Sequence, residues 1–501
     1  MLSAKIYAHA RRTPDRIALV YNGNRMPYGR FAGLIEASRR YLRSRVGESN
    51  GVAVLAIGSA LDAWIQGLAL RSLGLTTVVS ETIERVGLAT IACVVATEAE
   101  YRADLEAACA AAGLPFVRVP RGVYAAAAPV PDAPDLADAS GGHILLTSGT
   151  TGSYKKILVG PATEAAKTTV FREVFEIAAD SVVSTFDLGG WTGVGYLIDA
   201  YAWDAGGCVV IDQRPDPADA LRHPGITHAF VTPHLLGRIL AAPPGALRRN
   251  DAMRLYVTAG SLSRGMAAEA KARLTRRILT SIGATEASTF AMTPVATDED
   301  LTWHRVVGSR AVEIVDDADR PVPVGQVGRL RVGTFGGVTG YLQDEEASRE
   351  FFRDGFFYTG DLAVFRSDGR FALQGRVTDV INVRGDKVAA GPIEESLRQR
   401  LGVGSVCVFS MQHEDGSEMI HVAIEARAPI EPSRLAAALD GTVLATLRTR
   451  FHLVEALPRN HMGKVQRALL REHLGLAAEA RRADAGLRDP AIVSRPGRRS
   501  S

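Results

Sequence analysis

Apolar residues recur along this chain in two rhythms. Phe31, Leu34, Ile35, Ser38, Tyr41 and Leu42 fall at intervals of three and four, the spacing of one face of an α-helix. Between such stretches lie short unbroken runs: VAVLAIG at 52–58, TTVVS at 76–80, IACVVAT at 91–97 and PFVRVP at 115–120. Each reads as a buried strand, with a helical run from Glu98 to Ala112 between the last two. Strand–helix–strand order with short apolar strands predicts parallel sheets covered by helices. Tyr124–Ser140, rich in Ala, Pro and Asp, reads as a linker or surface loop.

The rhythm changes twice more. Trp303–Gly375 is β-rich and carries turn signals such as DRPVPVGQVG and RSDGR. From Arg376 a compact unit begins, with VCVFS, IHVAIEA and two helical runs. The expected fold class is α/β. Residues 1–375 form a large N-terminal domain of helix-covered mixed or parallel sheets plus a β-rich subdomain, and 376–476 form a small α+β C-terminal domain. Residues 477–501, Ala/Arg-rich with Pro490, Pro496 and Gly497, read as a disordered tail. No internal repeat is present.

Composition narrows the function classes. The chain has 501 residues, 47% of them hydrophobic and 23% charged, which suits a globular protein with a sizeable core. A net charge of +3 gives no reason to expect a nucleic-acid partner. Cys93, Cys109, Cys208 and Cys407 are scattered, which argues against a disulfide framework or a zinc knuckle and for reduced thiols in a cytoplasmic protein. The N-terminus has no apolar signal core, and Asp62 interrupts the most apolar stretch, Gly51–Leu70, so neither a signal peptide nor a membrane span is expected.

The strongest chemical signal is Leu145-Leu-Thr147-Ser148-Gly149-Thr150-Thr151-Gly152-Ser-Tyr154-Lys155-Lys156. An apolar strand runs into a loop dense in Gly, Ser and Thr, followed by lysines. Glycines let backbone N–H groups turn toward an anion, hydroxyls add donors and lysine adds charge, which suits nucleotide phosphates. The segment is not a Walker A loop, and no G-x-G-x-x-G dinucleotide fingerprint accompanies it.

This loop resembles the phosphate-binding signature T-S-G-T-T-G-x-P-K-G of the adenylate-forming superfamily, which includes acyl-CoA synthetases, adenylation domains of nonribosomal peptide synthetases, and luciferases. Tyr154 replaces its Pro and Lys156 its last Gly. Five further motifs follow in family order. Tyr256–Ser261, with Gly260 and Ser261, resembles the adenine-side segment; Ile282-Gly283-Ala284-Thr285-Glu286 resembles Y-G-x-T-E. Tyr358-Thr359-Gly360-Asp361 matches T-G-D, Gly375–Gly385 the hinge motif, and Pro458–Arg467 the C-terminal lysine motif with Lys464. The resemblance covers residues 10–475. Ile282 stands where the family stacks Tyr on adenine, Thr378 where Asp or Lys is usual in the hinge, and Arg329 where Glu is common.

The resemblance implies ATP and Mg²⁺ as reactants. Glu286 is a hard oxygen ligand suited to Mg²⁺, and Thr285 a donor to phosphate. Asp361 would hold the ribose hydroxyls, Arg376 a donor fork near ribose and hinge, and Lys464 the mobile charge at the forming acyl-phosphate bond. A carboxylate attacks the α-phosphorus, releasing pyrophosphate; a thiol of coenzyme A, or of the phosphopantetheine on a separate carrier protein, then takes the acyl group and AMP leaves. The small C-terminal domain is mobile in the family, and Gly385 would line the thiol channel. Asp187 and Trp191 lie where the family builds its acid pocket; their spacing resembles the Asp that pairs with a substrate ammonium, pointing to a small, amino-bearing acid. The alternatives are an adenylating enzyme with a non-thiol acceptor and a non-catalytic nucleotide-binding protein.

Overall fold

The computed structural model describes residues 2–46, 51–83, 86–87, 90–125, 130, 141–148, 154–186, 188–190, 192–377, 380–383, 386–412, 418–426, 428–459, 465–475 and 492–493. The protein is a mixed α/β molecule that divides into two compact units: 1–311 with 332–357, and 312–331 with 358–501.

The first unit holds two sheets. One has six strands in the order Phe116–Val119, Ile91–Thr97, Val52–Leu55, Thr76–Val79, His143–Ser148, Tyr154–Val159. The first five run parallel, and only the Tyr154–Val159 edge is antiparallel. The other has eight strands: Ser288–Pro294, Arg277–Ala284, Arg254–Thr258, His228–Val231, Val182–Phe186, Cys208–Ile211, Ile17–Tyr21 and Asn24–Pro27. Its six inner strands are parallel, and the two edges are antiparallel hairpin partners.

Parallel neighbours require crossovers, and helices supply them. Helix Ala60–Arg71 starts on Ser59, whose side chain accepts from Asp62 N, and joins Val52–Leu55 to Thr76–Val79. Helix Gly193–Ala205 starts on Thr192, which accepts from Gly195 N, and joins Val182–Phe186 to Cys208–Ile211. Helix Tyr28–Val46 buries Phe31, Leu34, Ile35, Ser38 and Leu42 of the stripe read from spacing, while Tyr41 is half-buried. Trp203, Phe31 and Trp64 pack ring on ring among these helices. The expected helix Glu98–Ala112 is instead a 3₁₀ turn, Glu98–Glu100, and a helix, Ala103–Ala111, separated by extended Tyr101. No described helix is long and apolar enough to cross a membrane.

The second unit contains residues 358–365 of strand Phe356–Phe365, paired antiparallel with Phe371–Arg376, and a sheet of Ser405–Gln412, Glu418–Glu425, Thr449–Val454 and Ile492–Val493. Ile393, Leu397, Val406, Val422 and Phe451 share its core with helices Ala390–Leu401 and Pro432–Leu439. Of the segment 477–501, Ile492–Val493 pairs with Thr449–Arg450; the rest lies outside the described residues. So does nearly all of the expected loop 124–140.

Candidate functional site

Parallel strands deliver their motifs to a common end. Thr258-Ala259-Gly260-Ser261 leaves one strand of the eight-stranded sheet, Ile282-Gly283-Ala284-Thr285-Glu286 ends its neighbour, and Phe186 ends a third. Left-handed backbone marks these points: φ is 55° at Phe186, 62° at Ala259 and 62° at Ser288. Each non-glycine residue in this region costs on the order of 1–3 kcal/mol, which the surrounding sheet must offset. Gly283 answers a different need. The hairpin shifts register there, and a Cβ would stand 2.8 Å from the Ser288 carbonyl.

The turn after Gly283 presents the candidate residues Thr285 and Glu286. Glu286 is buried, and its Oε1 accepts a hydrogen bond from Tyr341 Oη at 2.9 Å. Burial and the adjacent carboxylate push the Tyr341 phenol far above its usual range, so it remains a donor. Tyr341 is placed by helix Glu345–Phe351: Ser348 Oγ accepts from Tyr341 N at 2.8 Å and donates to Asp344 O at 2.6 Å. Thr285, half-buried, faces Gly193, where a Cβ would lie 2.9 Å from the Thr285 hydroxyl.

Lys155 lies beside this carboxylate. Its Nζ sits 3.6 Å from the Phe351 ring centroid and 4.9 Å from that of Tyr341. Burial lowers its pKa, while Glu350, Asp344 and Glu286 oppose that shift. Thr147 pairs with Lys155 across the hairpin and donates to its carbonyl at 3.4 Å. Ser148 pairs with Tyr154, so the Gly/Ser/Thr loop connects the two strands. Gly149, Thr150, Thr151 and Gly152 lie outside the described residues, as do Asp187 and Trp191. Gly260 and Ser261 are exposed and Ile282 and Ala284 half-buried, on the same sheet end as Glu286.

Two cations behind the turn have no counterpart in the sequence reading. Lys167, wholly buried on helix Pro161–Phe175, donates from Nζ to Thr285 O at 3.1 Å. Arg310 donates from Nη2 to Ala287 O at 2.6 Å and to Gly333 O at 2.9 Å. Tyr341 was missed as well. These residues lie 118, 23 and 55 positions from their partners, so no local spacing signals them.

Gly190 also borders a pocket lined by Trp64, Tyr196, His143, Gln213 and Arg71 among others. Arg71 is tied inside the wall: Nη2 meets Glu164 Oε2 at 2.6 Å, and Tyr196 Oη donates to the same oxygen at 2.7 Å. His143 bonds Thr77 Oγ1 and Gly190 O, each at 2.8 Å, and burial lowers its pKa to about 3.

In the second unit Asp361 and Arg376 are directly opposed across antiparallel strands, with Nε 3.0 Å from Oδ1. Arg376 Nη1 also donates to Thr359 O at 2.8 Å, and Thr359 Oγ1 accepts from Asp361 N at 3.1 Å. The two residues read separately as ribose and hinge groups are therefore one ion pair. Thr378, Gly385 and Lys464 lie outside the described residues. Gly385 belongs to the two-residue connection between Val383 and Asp386, which pair.

The model of the AMP-binding enzyme family matches residues 6–342. Phosphinothricin tripeptide synthetase PhsC of Streptomyces viridochromogenes is 27% identical over 375 residues, 70% of this chain and 33% of that protein. This chain thus spans a third of that relative's length. Sulfoacetate–CoA ligase of Cupriavidus necator is 29% identical over 359 residues, 69% of this chain and 68% of that protein. The crystal structure of a benzoate CoA ligase from Burkholderia xenovorans LB400 superposes with a TM-score of 0.79 at 21% identity, covering 94% of this chain and 99% of that one. At that identity the likeness speaks to fold.

Proposed function

The chain belongs to the AMP-binding enzyme family, and we propose that it activates a small carboxylic acid with ATP and passes the acyl group to a thiol. The observation that carries this reading is the Thr285–Glu286 turn: a buried carboxylate fixed by Tyr341, whose ring lies 4.9 Å from Lys155 Nζ. A nucleotide needs phosphate donors, a cation and a carboxylate for its metal within one site, and the first unit supplies each kind.

Mg²⁺ fits the donor set. It takes one or two carboxylates and keeps phosphate and water oxygens for the rest. Glu286 offers one carboxylate, and no group of three or more His, Cys, Asp or Glu residues able to hold a metal occurs among the described residues. Bound there with ATP, Mg²⁺ would neutralise phosphate charge. Thr147, Ser148, Thr285 and Lys155 then orient the phosphates; Asp361 accepts from the ribose hydroxyls while Arg376 holds Asp361 in place.

In the first half-reaction a carboxylate oxygen of the acid attacks the α-phosphorus, a P–O bond forms and the bond to pyrophosphate breaks. Lys464 stabilises the charge that develops at those oxygens. In the second, a thiol sulfur attacks the acyl carbon, the C–O bond to AMP breaks and the thiol proton passes to solvent. The thiol is that of coenzyme A or of a carrier protein's phosphopantetheine, admitted past Gly385. Residues 376–476 act as a lid turning on the hinge that contains Thr378. Asp187, with Trp191, favours an acid bearing an amino group.

Pyrophosphate exchange into ATP, measured with Mg²⁺ over amino, aryl and fatty acids, tests the reading. Exchange with one class, and AMP release that requires an added thiol, is the expected result. Absence of exchange with every acid overturns it, and AMP release without thiol overturns the acceptor.

A further inference from the structure

The carbonyls on either side of Glu286 are both held by cations. Lys167 Nζ takes Thr285 O at 3.1 Å, and Arg310 Nη2 takes Ala287 O at 2.6 Å. The glutamate between them sends its carboxylate to Tyr341. One loop covers both cations. Gly333 O is the second acceptor for Arg310, whose guanidinium lies 4.7 Å from the Phe335 ring centroid. Gly336, at φ +70°, sits on the Lys167 stem so closely that a Cβ would come within 3.1 Å of Lys167 Cγ.

Such an arrangement is costly. Lys167 is 0% exposed, and an ammonium in that setting requires compensation. Its ammonium donates to a neutral carbonyl, and the Glu286 carboxylate favours its charge while Arg310 opposes it. Burial accordingly lowers its pKa to about 8. A methionine would fill the same volume without that cost. The placement of two cations on the carbonyls flanking Glu286 in one turn is a reason for the charge to be there.

The geometry points to Lys167 and Arg310 as positioning residues: a two-cation clamp that fixes the backbone of the turn bearing Thr285 and Glu286 and thereby sets the affinity for ATP with its magnesium. The inference rests on the function proposed above. Their hydrogen bonds go to backbone carbonyls. Both hold the backbone that presents the two side chains, and groups that orient a metal ligand typically control affinity by about 10–100-fold.

The experiment uses the full chain with Lys167→Met, alone and with Arg310→Met. It has two readouts: hydrogen exchange of the amides of residues 284–288 in the protein without nucleotide, and ATP affinity by titration calorimetry with and without Mg²⁺. The clamp predicts exchange at least tenfold faster in that turn, a Kd for ATP raised about tenfold or more with Mg²⁺ and much less without it. The second substitution should add less than it costs alone, because both cations hold one turn. Unchanged exchange overturns the clamp; faster exchange with unchanged affinity overturns its role in binding. If Lys167→Met fails to fold, Arg310→Lys, which keeps the charge but cannot span both carbonyls, is read by the same criteria. A wild-type protein that binds no ATP overturns the proposed function, while exchange still decides the clamp.

Discussion

Tyr341 Oη donates to Glu286 Oε1 at 2.9 Å, joining the loop before helix Glu345–Phe351 to the turn after strand Arg277–Ala284. The bond satisfies one oxygen of a buried carboxylate and fixes its direction. Tyr341→Phe keeps the ring and removes the donor. Leaving a buried charged acceptor without that partner costs about 1–3 kcal/mol of stability. The expected loss in affinity for ATP with Mg²⁺ is about tenfold. Calorimetric titration of both proteins measures it, and equal Kd values would show that Glu286 needs no such orientation.

What was legible in the sequence follows from where the information lies. The runs at 52–55, 76–79 and 91–97 became strands buried on both faces, as a parallel sheet demands, and 116–119 forms the sheet's edge with Arg118 exposed. The stretch 98–112 misled because its alanines suit a helix throughout, whereas the chain must turn at Tyr101 and Arg102 to place its polar start. Glu286, Thr285, Lys155, Asp361 and Arg376 were legible because they sit in contiguous motifs. Lys167, Arg310 and Tyr341 were not, since each reaches its partner through a crossover or hairpin that only the folded sheet order defines.

Asp361 and Arg376 separate binding from stability. The pair is open to solvent, with side chains 21% and 44% exposed, so it contributes under about 1 kcal/mol. Asp361→Asn should leave the midpoint of urea unfolding almost unchanged. If Asp361 accepts from ribose, the same change weakens ATP at least tenfold, the loss expected for a hydrogen bond to a charged group. A protein that unfolds early and binds ATP normally would reassign the pair to scaffolding.

Three buried histidines set the acid side of the stability profile. Burial lowers His143 to about 3 and His228 and His304 each to about 4. Unfolding restores the ordinary value near 6.5, so between those limits the unfolded chain binds more protons than the folded one. Stability therefore falls as pH drops below about 6.5. Each histidine contributes roughly 1.4 kcal/mol per pH unit until its folded pKa is reached. His304 Nδ1 lies 3.5 Å from Thr280 Oγ1 and is the one replaced in the test. Urea unfolding of His304→Gln at pH 7 and pH 5 should show a smaller acid loss by about that slope, and parallel curves for the two proteins would contradict it.

Asp199 acts in the opposite direction. It is buried on helix Gly193–Ala205, accepts from Thr185 Oγ1 at 2.8 Å, and is pushed up to about 8 by desolvation. The folded protein holds that proton from about pH 4 to pH 8 while the unfolded chain has released it, so this group removes stability as pH rises through the interval. Asp199→Asn presents a neutral group of the same shape at every pH. The variant should unfold at a higher temperature than the wild type at pH 8, with the gap closing toward pH 5. A gap independent of pH would mean that Asp199 is not protonated in the fold.

The role proposed for Lys464 is tested by separating the two proposed half-reactions. The segment that carries it is held at both ends: Arg459 bridges to Val465, and Gln466 N donates to Pro458 O at 2.8 Å. Arg459 is itself anchored through Nη2 to Ser405 Oγ at 2.6 Å and Glu425 Oε2 at 3.0 Å. Lys464→Ala should lower the rate of adenylate formation by about 10²–10³, the typical cost of removing one preorganised donor from a developing charge. Thiol transfer from an acyl-adenylate supplied ready-made should change little, because that step breaks the bond to AMP after the lysine's task is done. Pyrophosphate exchange reads the first step and AMP release from added adenylate the second. Equal losses in both would place Lys464 in general binding of the adenylate, and no loss in either would remove it from the site.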